Sequence, residues 1–180
     1  MPEERVDAEE ALRAACRAGR RLSGLQQDPD GALEILEPYS ACPEYSCGEW
    51  VGPEQRDLLL RVARAMVCAV TGDCHRGLGD VRTAAEWYRR AGQCHKACGF
   101  AAIYADMVLQ HWLDDHYEVA LDYLRQSLAD WQSRPLLVRF YWHVVSGWWR
   151  QPWNYRESWR TVFRQRALLA QLEARVAERE

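Results

Sequence analysis

Cysteine and histidine side chains recur close together in the middle of the chain, where they could bind a metal ion. The residues that could form a zinc site are Cys74, Cys94, His95 and Cys98. Their spacing matches no common zinc ribbon or finger, and Cys94 and Cys98 lie four residues apart, on one face of a helix. Cysteine packs readily among small apolar residues on such a face. We therefore expect packed cysteine here, with neither a metal nor a cofactor.

The seven cysteines also bear on where the protein works. An odd number cannot all pair within the chain, and the acidic N-terminus carries no secretory signal. No apolar run approaches the roughly 18 residues of a membrane-spanning helix. We expect free thiols in a reducing, cytoplasmic compartment, although Cys42 and Cys47 flank a turn and could form a bridge under oxidation.

Basic and aromatic residues are concentrated in the last third of the chain. Residues 134–166 carry seven arginines and one acid, a net charge of +6, whereas residues 1–133 have a net charge of −8. Five of the nine tryptophans fall between Trp142 and Trp159. Two basic stripes at helical spacing lie in this region, formed by Arg139, His143 and Arg150 on one helix and by Arg156, Arg160 and Arg164 on the next.

Two interpretations of these stripes stay open. As a binding surface, they would contact an acidic peptide, a phosphorylated segment or single-stranded nucleic acid. As structural groups, they would stack on indole rings, lie in solvent or pair with acids of the neighbouring helix. The acids in question are Asp114, Asp115, Glu118 and Asp122.

The sequence contains no familiar catalytic or phosphate-binding motif. Gly-x-Ser-x-Gly, His-Glu-x-x-His, Gly-x-Gly-x-x-Gly and the phosphate-binding loop are all missing. The run Asp114-Asp115-His116 is better explained as a helix cap than as an acid–base pair. We therefore expect a protein that is not an enzyme.

Apolar residues recur at intervals of three and four, which predicts an all-α fold of about eight helices. The fifth helix is expected over about Cys98–Leu113, and Asp115 with Glu118 resembles a capping box for the sixth. Residues 39–53 interrupt the pattern and are expected to form an irregular insertion loop. Further helix starts are expected at Asp28-Pro29, Pro53, Asp80, Pro135 and Asn154.

The chain also resembles itself at an offset of 36 residues. A small residue at one position lets the paired helix approach, and larger residues after it fill the groove between repeats. This pattern resembles the tetratricopeptide repeat, whose usual unit is 34 residues, over about residues 65–134. The second unit has Val108 where glycine is usual. The aligned pairs are Ala84 with Ala120, Ala85 with Leu121, Trp87 with Tyr123, Tyr88 with Leu124, and Ala91 with Ser127.

The resemblance implies one domain over residues 1–180, a right-handed solenoid of antiparallel helical hairpins with a C-terminal capping helix. Residues 135–180 would form a degenerate hairpin rich in tryptophan and arginine. Such a stack binds a peptide or helix of a protein partner in a concave groove. The residues expected to contact the partner, with Trp112 as the anchor, are Met66, Asp73, Leu109, Trp112, Tyr141 and Trp148.

The expected function is accordingly that of an adaptor, scaffold or chaperone subunit. The basic and amide side chains with which well-known members clamp chaperone C-termini are absent, because the corresponding positions hold Ala69, Asp73, Ala105 and Leu109. The small three-repeat chaperones of bacterial type III secretion are similar in size. Two alternatives stay open. One is a nucleic-acid-binding helical repeat protein, and the other is an obligate subunit of a larger complex or homo-oligomer. No membrane partner is expected.

Overall fold

A computed structural model of the chain describes residues 11, 13–25, 27–39, 55–94, 98–137, 139 and 159–178. All regular elements of these residues are helical, with no strand among them, which confirms the predicted all-α class. The chain divides into two compact units, Met1–His95 and Lys96–Glu180. The insertion loop expected over residues 39–53 lies outside the described residues except for Tyr39.

Four helices form the described part of the first unit. Helix α1 covers residues 13–20 and continues as a π-helical turn, Arg21–Leu25. Helix α2 is Pro29–Leu36, and a 3₁₀ turn, Glu37–Tyr39, follows it. The Asp28 carboxylate accepts a hydrogen bond from the Gly31 backbone N–H at 2.9 Å, which confirms the predicted cap. Helix α3 is Gln55–Gly77 and helix α4 is Val81–Cys94.

Helices α3 and α4 form a closely packed hairpin. A Cβ built on Gly72 would lie 2.9 Å from Cε1 of Tyr88 and 3.2 Å from the carbonyl oxygen of Ala84. Glycine therefore lets the two helices approach to this distance. On its other side α3 shares a core with α1 and α2, whose buried members include Cys16, Leu36, Val67, Val70 and Cys74.

The turn between α3 and α4 is a Schellman motif, in which a residue of left-handed conformation ends the first helix. That residue is Gly79, with φ at +81°. The Asp80 N–H donates to the His75 carbonyl at 2.9 Å and the Gly79 N–H to the Arg76 carbonyl at 3.1 Å. Asp80 then begins α4, because its Oδ1 accepts from the Thr83 N–H at 3.2 Å, as the sequence predicted.

The second unit is a three-helix bundle in its described part. Helix α5 is Cys98–Gln110, α6 is Tyr117–Ser133 and α7 is Trp159–Ala177. Helix α7 packs against both helices of the α5–α6 hairpin. It runs parallel to α5, because Arg164 contacts Asp106 near the middle of α5 and Arg175 contacts Trp112 beyond its end. The core of the bundle includes the buried residues Tyr104, Tyr117, Leu124, Leu128, Trp131 and Val162.

The predicted capping box of Asp115 and Glu118 is wrong. Asp114–His116 form a 3₁₀ turn, and α6 begins at Tyr117 with His116 at the N-cap position and no side-chain cap bond. Helix α5 also ends at Gln110 rather than at Leu113.

The 3₁₀ turn changes how the two hairpins align. The offset of 36 residues places buried residues of α4 on buried residues of α6, as with Tyr88 and Leu124. The left-handed residues that end α3 and α5 are Gly79 and Trp112. They are 33 positions apart, three fewer than the offset of 36. When the hairpins are aligned on these ends, Ala105 rather than Val108 stands level with Gly72, so a small residue is present in both hairpins.

Candidate protein-binding site

Trp112 occupies a backbone position that normally belongs to glycine. Its φ is +54°, and the Leu113 N–H donates to the Val108 carbonyl at 3.0 Å. This is the Schellman bond that Asp80 makes after Gly79 in the first unit. A residue with a Cβ is strained in the left-handed region, by roughly 1 kcal/mol or more.

Burial does not compensate this strain. Trp112 is 61% exposed. Among the described aromatic residues of the second unit, only Phe163 is more exposed. The guanidinium carbon of Arg175 lies 4.4 Å from the indole centroid, so one face of the ring is stacked. Arg175 also forms an ion pair at the surface, since its Nη1 lies 3.0 Å from a carboxylate oxygen of Glu178. The arrangement presents an indole ring, held from one side, to solvent.

The other predicted contact residues of the described chain lie in different surroundings. Asp73 is half-buried and accepts a hydrogen bond from the Tyr88 hydroxyl at 2.6 Å, so its carboxylate supports the α3–α4 hairpin. Met66 is partly buried and packs on the core of the first unit, and Leu109 is partly buried in the second. Because these residues belong to two different units, their place in a common groove stays a prediction. Tyr141 and Trp148 lie outside the described residues.

Two alanines expected beside that groove are structural. Ala69 and Ala105 are fully buried, the first in α3 and the second in α5. They therefore pack within their own units and do not offer a surface to a partner.

The structure describes three residues of the two basic stripes. Arg164 is half-exposed and its Nη2 lies 2.6 Å from Oδ2 of Asp106, so it forms an ion pair across α5 and α7. The pairing interpretation holds for this residue, although its partner is not one of the four acids considered from the sequence. Arg139 is partly buried, and its Nε has no hydrogen-bond partner among the described residues. Arg160 lies on α7, and its side chain is outside the described set. His143, Arg150 and Arg156 lie outside the described residues altogether.

Arginine stacks on tryptophan at three places in the described residues. Besides the Arg175–Trp112 pair, Arg90 lies 4.7 Å from the Trp87 ring centroid and Arg134 lies 5.9 Å from that of Trp131. For the tryptophans between Trp142 and Trp159 the internal cation–π interpretation stays a prediction, because their side chains lie outside the described residues. Arg134 also pairs with Asp130 at 2.6 Å.

The described cysteine side chains fall into two chemical states. Cys16, Cys68 and Cys74 are free and buried, as expected, whereas Cys94 is disulfide-bonded, contrary to the expectation of free thiols. Burial raises the pKa of the Cys68 thiol to about 12 and that of the Cys74 thiol to about 11.

The disulfide of Cys94 removes one sulfur from the four residues that the sequence offered as zinc ligands. A disulfide sulfur is no thiolate ligand, and no group of three or more metal-binding side chains exists in the described part of the chain. His95 and the side chain of Cys98 lie outside it.

The Asp114-Asp115-His116 run serves the fold of the second hairpin. The His116 Nδ1 and the hydroxyl of the fully buried Tyr104 lie 2.6 Å apart, within hydrogen-bond distance, and the Tyr104 ring packs edge-on against the imidazole. On its other side the His116 Nε2 lies 3.9 Å from Asp115. The run therefore fixes the 3₁₀ turn to α5, a role that its local sequence did not indicate.

No protein-family model, curated protein or solved structure matches the chain. The likeness to the tetratricopeptide repeat thus rests on the residues compared above. Within the described residues, no helix has both the length and the apolar character needed to cross a membrane. The cytoplasmic location remains a prediction.

Proposed function

We propose that the chain is a non-catalytic protein-interaction module, built of tetratricopeptide-like helical hairpins, that works as an adaptor, scaffold or chaperone subunit. It contacts its protein partner through the end of the second unit at which Trp112 lies. The single observation that carries this proposal is the exposed, left-handed Trp112 ring stacked on Arg175.

The energetics of Trp112 favour a role in binding over a role in folding. Its backbone costs roughly 1 kcal/mol relative to glycine, and a cation–π stack at an exposed site returns about 0.5–1 kcal/mol. The exposed part of the ring contributes nothing to the folded state until something covers it. Tryptophan is among the residue types that most often supply the binding energy of protein interfaces.

The position of α7 supports the repeat architecture. Helix α7 runs parallel to α5 and packs on both α5 and α6. The first helix of a following repeat would take the same place in a stack of hairpins. Its buried residues Val162, Leu168 and Leu172 face the hairpin, which supports a capping role for the last helix.

Several described arginines weigh against the nucleic-acid alternative, although the exposed Phe163 and Arg166 both lie on α7. Arg164 and Arg134 have carboxylate partners at 2.6 Å, and the rings of Trp112 and Trp131 have arginines over them. A surface for single-stranded nucleic acid needs open aromatic faces beside unneutralised cations. A protein partner is therefore the favoured ligand.

A retention experiment with the full chain tests the proposal. Tagged wild type, Trp112→Gly and Leu78→Ala would be used to retain partners from a nuclease-treated extract of the native cell. Leu78 is the matched control, because it is an exposed apolar residue beside the left-handed glycine of the first hairpin. We expect a stoichiometric protein that Trp112→Gly retains at least tenfold less and that Leu78→Ala retains normally. Equal retention by all three, or a partner that disappears with nuclease, would contradict the proposal.

A further inference from the structure

The outer face of α7 is apolar along its length. The helix buries Val162, Leu168 and Leu172 against the α5–α6 hairpin. Five exposed apolar residues lie on the opposite side, namely Phe163, Ala167, Ala170, Ala174 and Ala177. Phe163 is 63% exposed. The last helix of a stack of hairpins normally turns a polar face outward, so the outer face of α7 has the composition of an interface rather than of an end cap.

The spacing of these five residues is that of a seam between two packed helices. They follow one another at alternating intervals of four and three, the pattern by which helices pack along each other. From Phe163 to Ala177 the seam is about 21 Å long, since a helix rises about 1.5 Å per residue. The alanines allow two helix axes to approach to about 8 Å, the short end of the usual range. A second helix laid along α7 therefore fits this face.

One flank of the seam carries charges that are complementary to themselves. Arg166 and Glu173 lie on this flank, four residues before and three residues after Ala170. Arg166 is exposed and forms no ion pair with another described residue. Glu173 is 46% exposed, and Arg125 engages only its Oε1, at 2.9 Å. A two-fold axis at Ala170 would bring Arg166 of each copy beside Glu173 of the other.

The other flank does not oppose this arrangement. It carries Arg164, Gln171 and Glu178. Arg164 and Glu178 already have ion-pair partners in their own chain, so they contribute less than Arg166 and Glu173. The same axis would bring the uncharged Gln171 of the two copies together and turn Arg164 towards Glu178, so no like charges meet.

A parallel pairing of two α7 helices fits less well. In a parallel pair, the residues that meet across the seam are five positions apart and lie on opposite flanks. Glu173 would then face Glu178 of the other copy, and Arg166 would face the uncharged Gln171. The charges therefore favour the antiparallel direction.

We propose that α7 is the interface of a symmetric homodimer, in which two copies of the chain pack α7 against α7 in antiparallel directions about a two-fold axis at Ala170. Phe163 of each copy then lies over the small Ala177 of the other. Such a contact uses the same surface of both copies, so association stops at the dimer. The seam does not include Trp112, and the inference therefore goes beyond the proposed function and leaves that ring to another protein.

Sedimentation velocity of the full chain tests the dimer. Because the seam is short, we expect the wild type to pass from the 20.9 kDa monomer to a dimer over the micromolar range and to form nothing larger. Ala170→Glu puts two carboxylates at the axis, and it should remain monomeric over that range, as should Ala174→Glu. Ala129→Glu changes an exposed alanine of α6 and is the matched control, which should dimerise normally. Circular dichroism checks that each variant is folded.

Charge exchange tests the antiparallel register. Arg166→Glu and Glu173→Arg each place like charges across the axis, so each variant alone should dimerise about tenfold more weakly than the wild type. In an equimolar mixture of the two variants, every contact across the axis again joins an arginine to a glutamate. The mixture should therefore recover the affinity of the wild type as a heterodimer.

Three results would overturn the inference: a wild type that stays monomeric, a dimer that both Ala170→Glu and Ala174→Glu leave intact, or a mixture that associates no better than its separate variants. Trp112→Gly should dimerise as the wild type does. A monomeric wild type that still retains a Trp112-dependent protein from the extract would overturn the dimer and leave the proposed function standing.

Discussion

At the scale of single residues, Trp112 shows what a sequence can and cannot reveal. Its type and its place at the end of an apolar helix made it the expected anchor, and it is exposed. Its left-handed backbone was not predictable, because the local sequence places no glycine or asparagine at this turn. Arg175 was missed as its stacking partner, since 63 positions separate the two residues and only the packing of α7 brings them together.

Replacing Trp112 should change stability little. Trp112→Gly relieves the backbone strain but loses the Arg175 stack, so we expect the free energy of unfolding to change by less than about 1 kcal/mol. Urea denaturation of the wild type, Trp112→Gly and Trp112→Asn would measure it, and asparagine should behave similarly because it tolerates the left-handed region. A loss of about 3 kcal/mol or more would show that the ring is part of the core.

The buried thiols should resist alkylation. With a pKa of about 12, the Cys68 thiol is almost entirely protonated at pH 8, and the buried Cys74 thiol has a pKa of about 11. Iodoacetamide labelling followed by mass spectrometry should modify neither residue in the folded protein and both in urea, because the thiolate is the nucleophile. Equal labelling rates in the two states would contradict the burial of these side chains.

The same thiols should make the protein less stable in alkali. Their pKa values are raised by folding above an ordinary value near 9, so the unfolded chain loses these protons first as the pH rises. The free energy of unfolding should be insensitive to them below about pH 8 and fall above it, by up to about 1.4 kcal/mol per pH unit for each thiol. Urea denaturation from pH 7 to 10 would measure the slope, and Cys68→Ala should reduce it.

At the scale of elements, local signals located the helices and tertiary contacts decided the exceptions. Asp28 and Asp80 cap their helices as their types predict. The sixth helix begins later than its capping signature suggests, because the contact between His116 and the buried Tyr104 holds residues 114–116 in a 3₁₀ turn. The start of α6 therefore depends on Tyr104, which lies twelve positions before His116. A pattern of neighbouring residues does not contain this information.

The close approach of α3 and α4 should make Gly72 sensitive to substitution. The added Cβ of Gly72→Ala meets Tyr88 and the backbone of Ala84. Overpacking of about 1–3 kcal/mol should exceed the gain of up to about 1 kcal/mol in helix propensity. Thermal denaturation should therefore show a lower Tm. Gly77→Ala is the control, since its Cβ would meet nothing within 4 Å, and a Tm that falls equally in both variants would contradict the packing argument.

A buried polar pair joins α6 to α7. The Gln165 Nε2 donates to the Ser127 Oγ at 3.1 Å, and both side chains are buried. Gln165→Leu and Ser127→Ala should each cost about 1–3 kcal/mol, because each leaves a buried polar group of the other residue without this partner. The double variant should cost less than the sum, measured as a double-mutant cycle in urea. Additive losses would show that the pair is not coupled.

At the scale of the whole molecule, charge asymmetry was the informative property of the sequence. The excess of acids before residue 134 and of arginines after it is visible without a structure. The sequence did not show that Arg125 pairs with Glu173 across α6 and α7. It also did not show that Arg164 is paired to Asp106 and so contributes less to a binding surface than its place in a ladder suggests.

The most direct test of the account is to identify what touches the exposed end of the second unit in the cell. A photo-crosslinking amino acid would replace His111, which is exposed and adjacent to Trp112, or Leu78 in the matching turn of the first unit. We predict protein adducts from position 111 that disappear when Trp112→Gly is added, and few from position 78. An adduct with the chain itself would identify the partner as a second copy. Equal adducts from both positions, no adduct at position 111, or adducts with nucleic acid alone would contradict the claim that this end binds a protein.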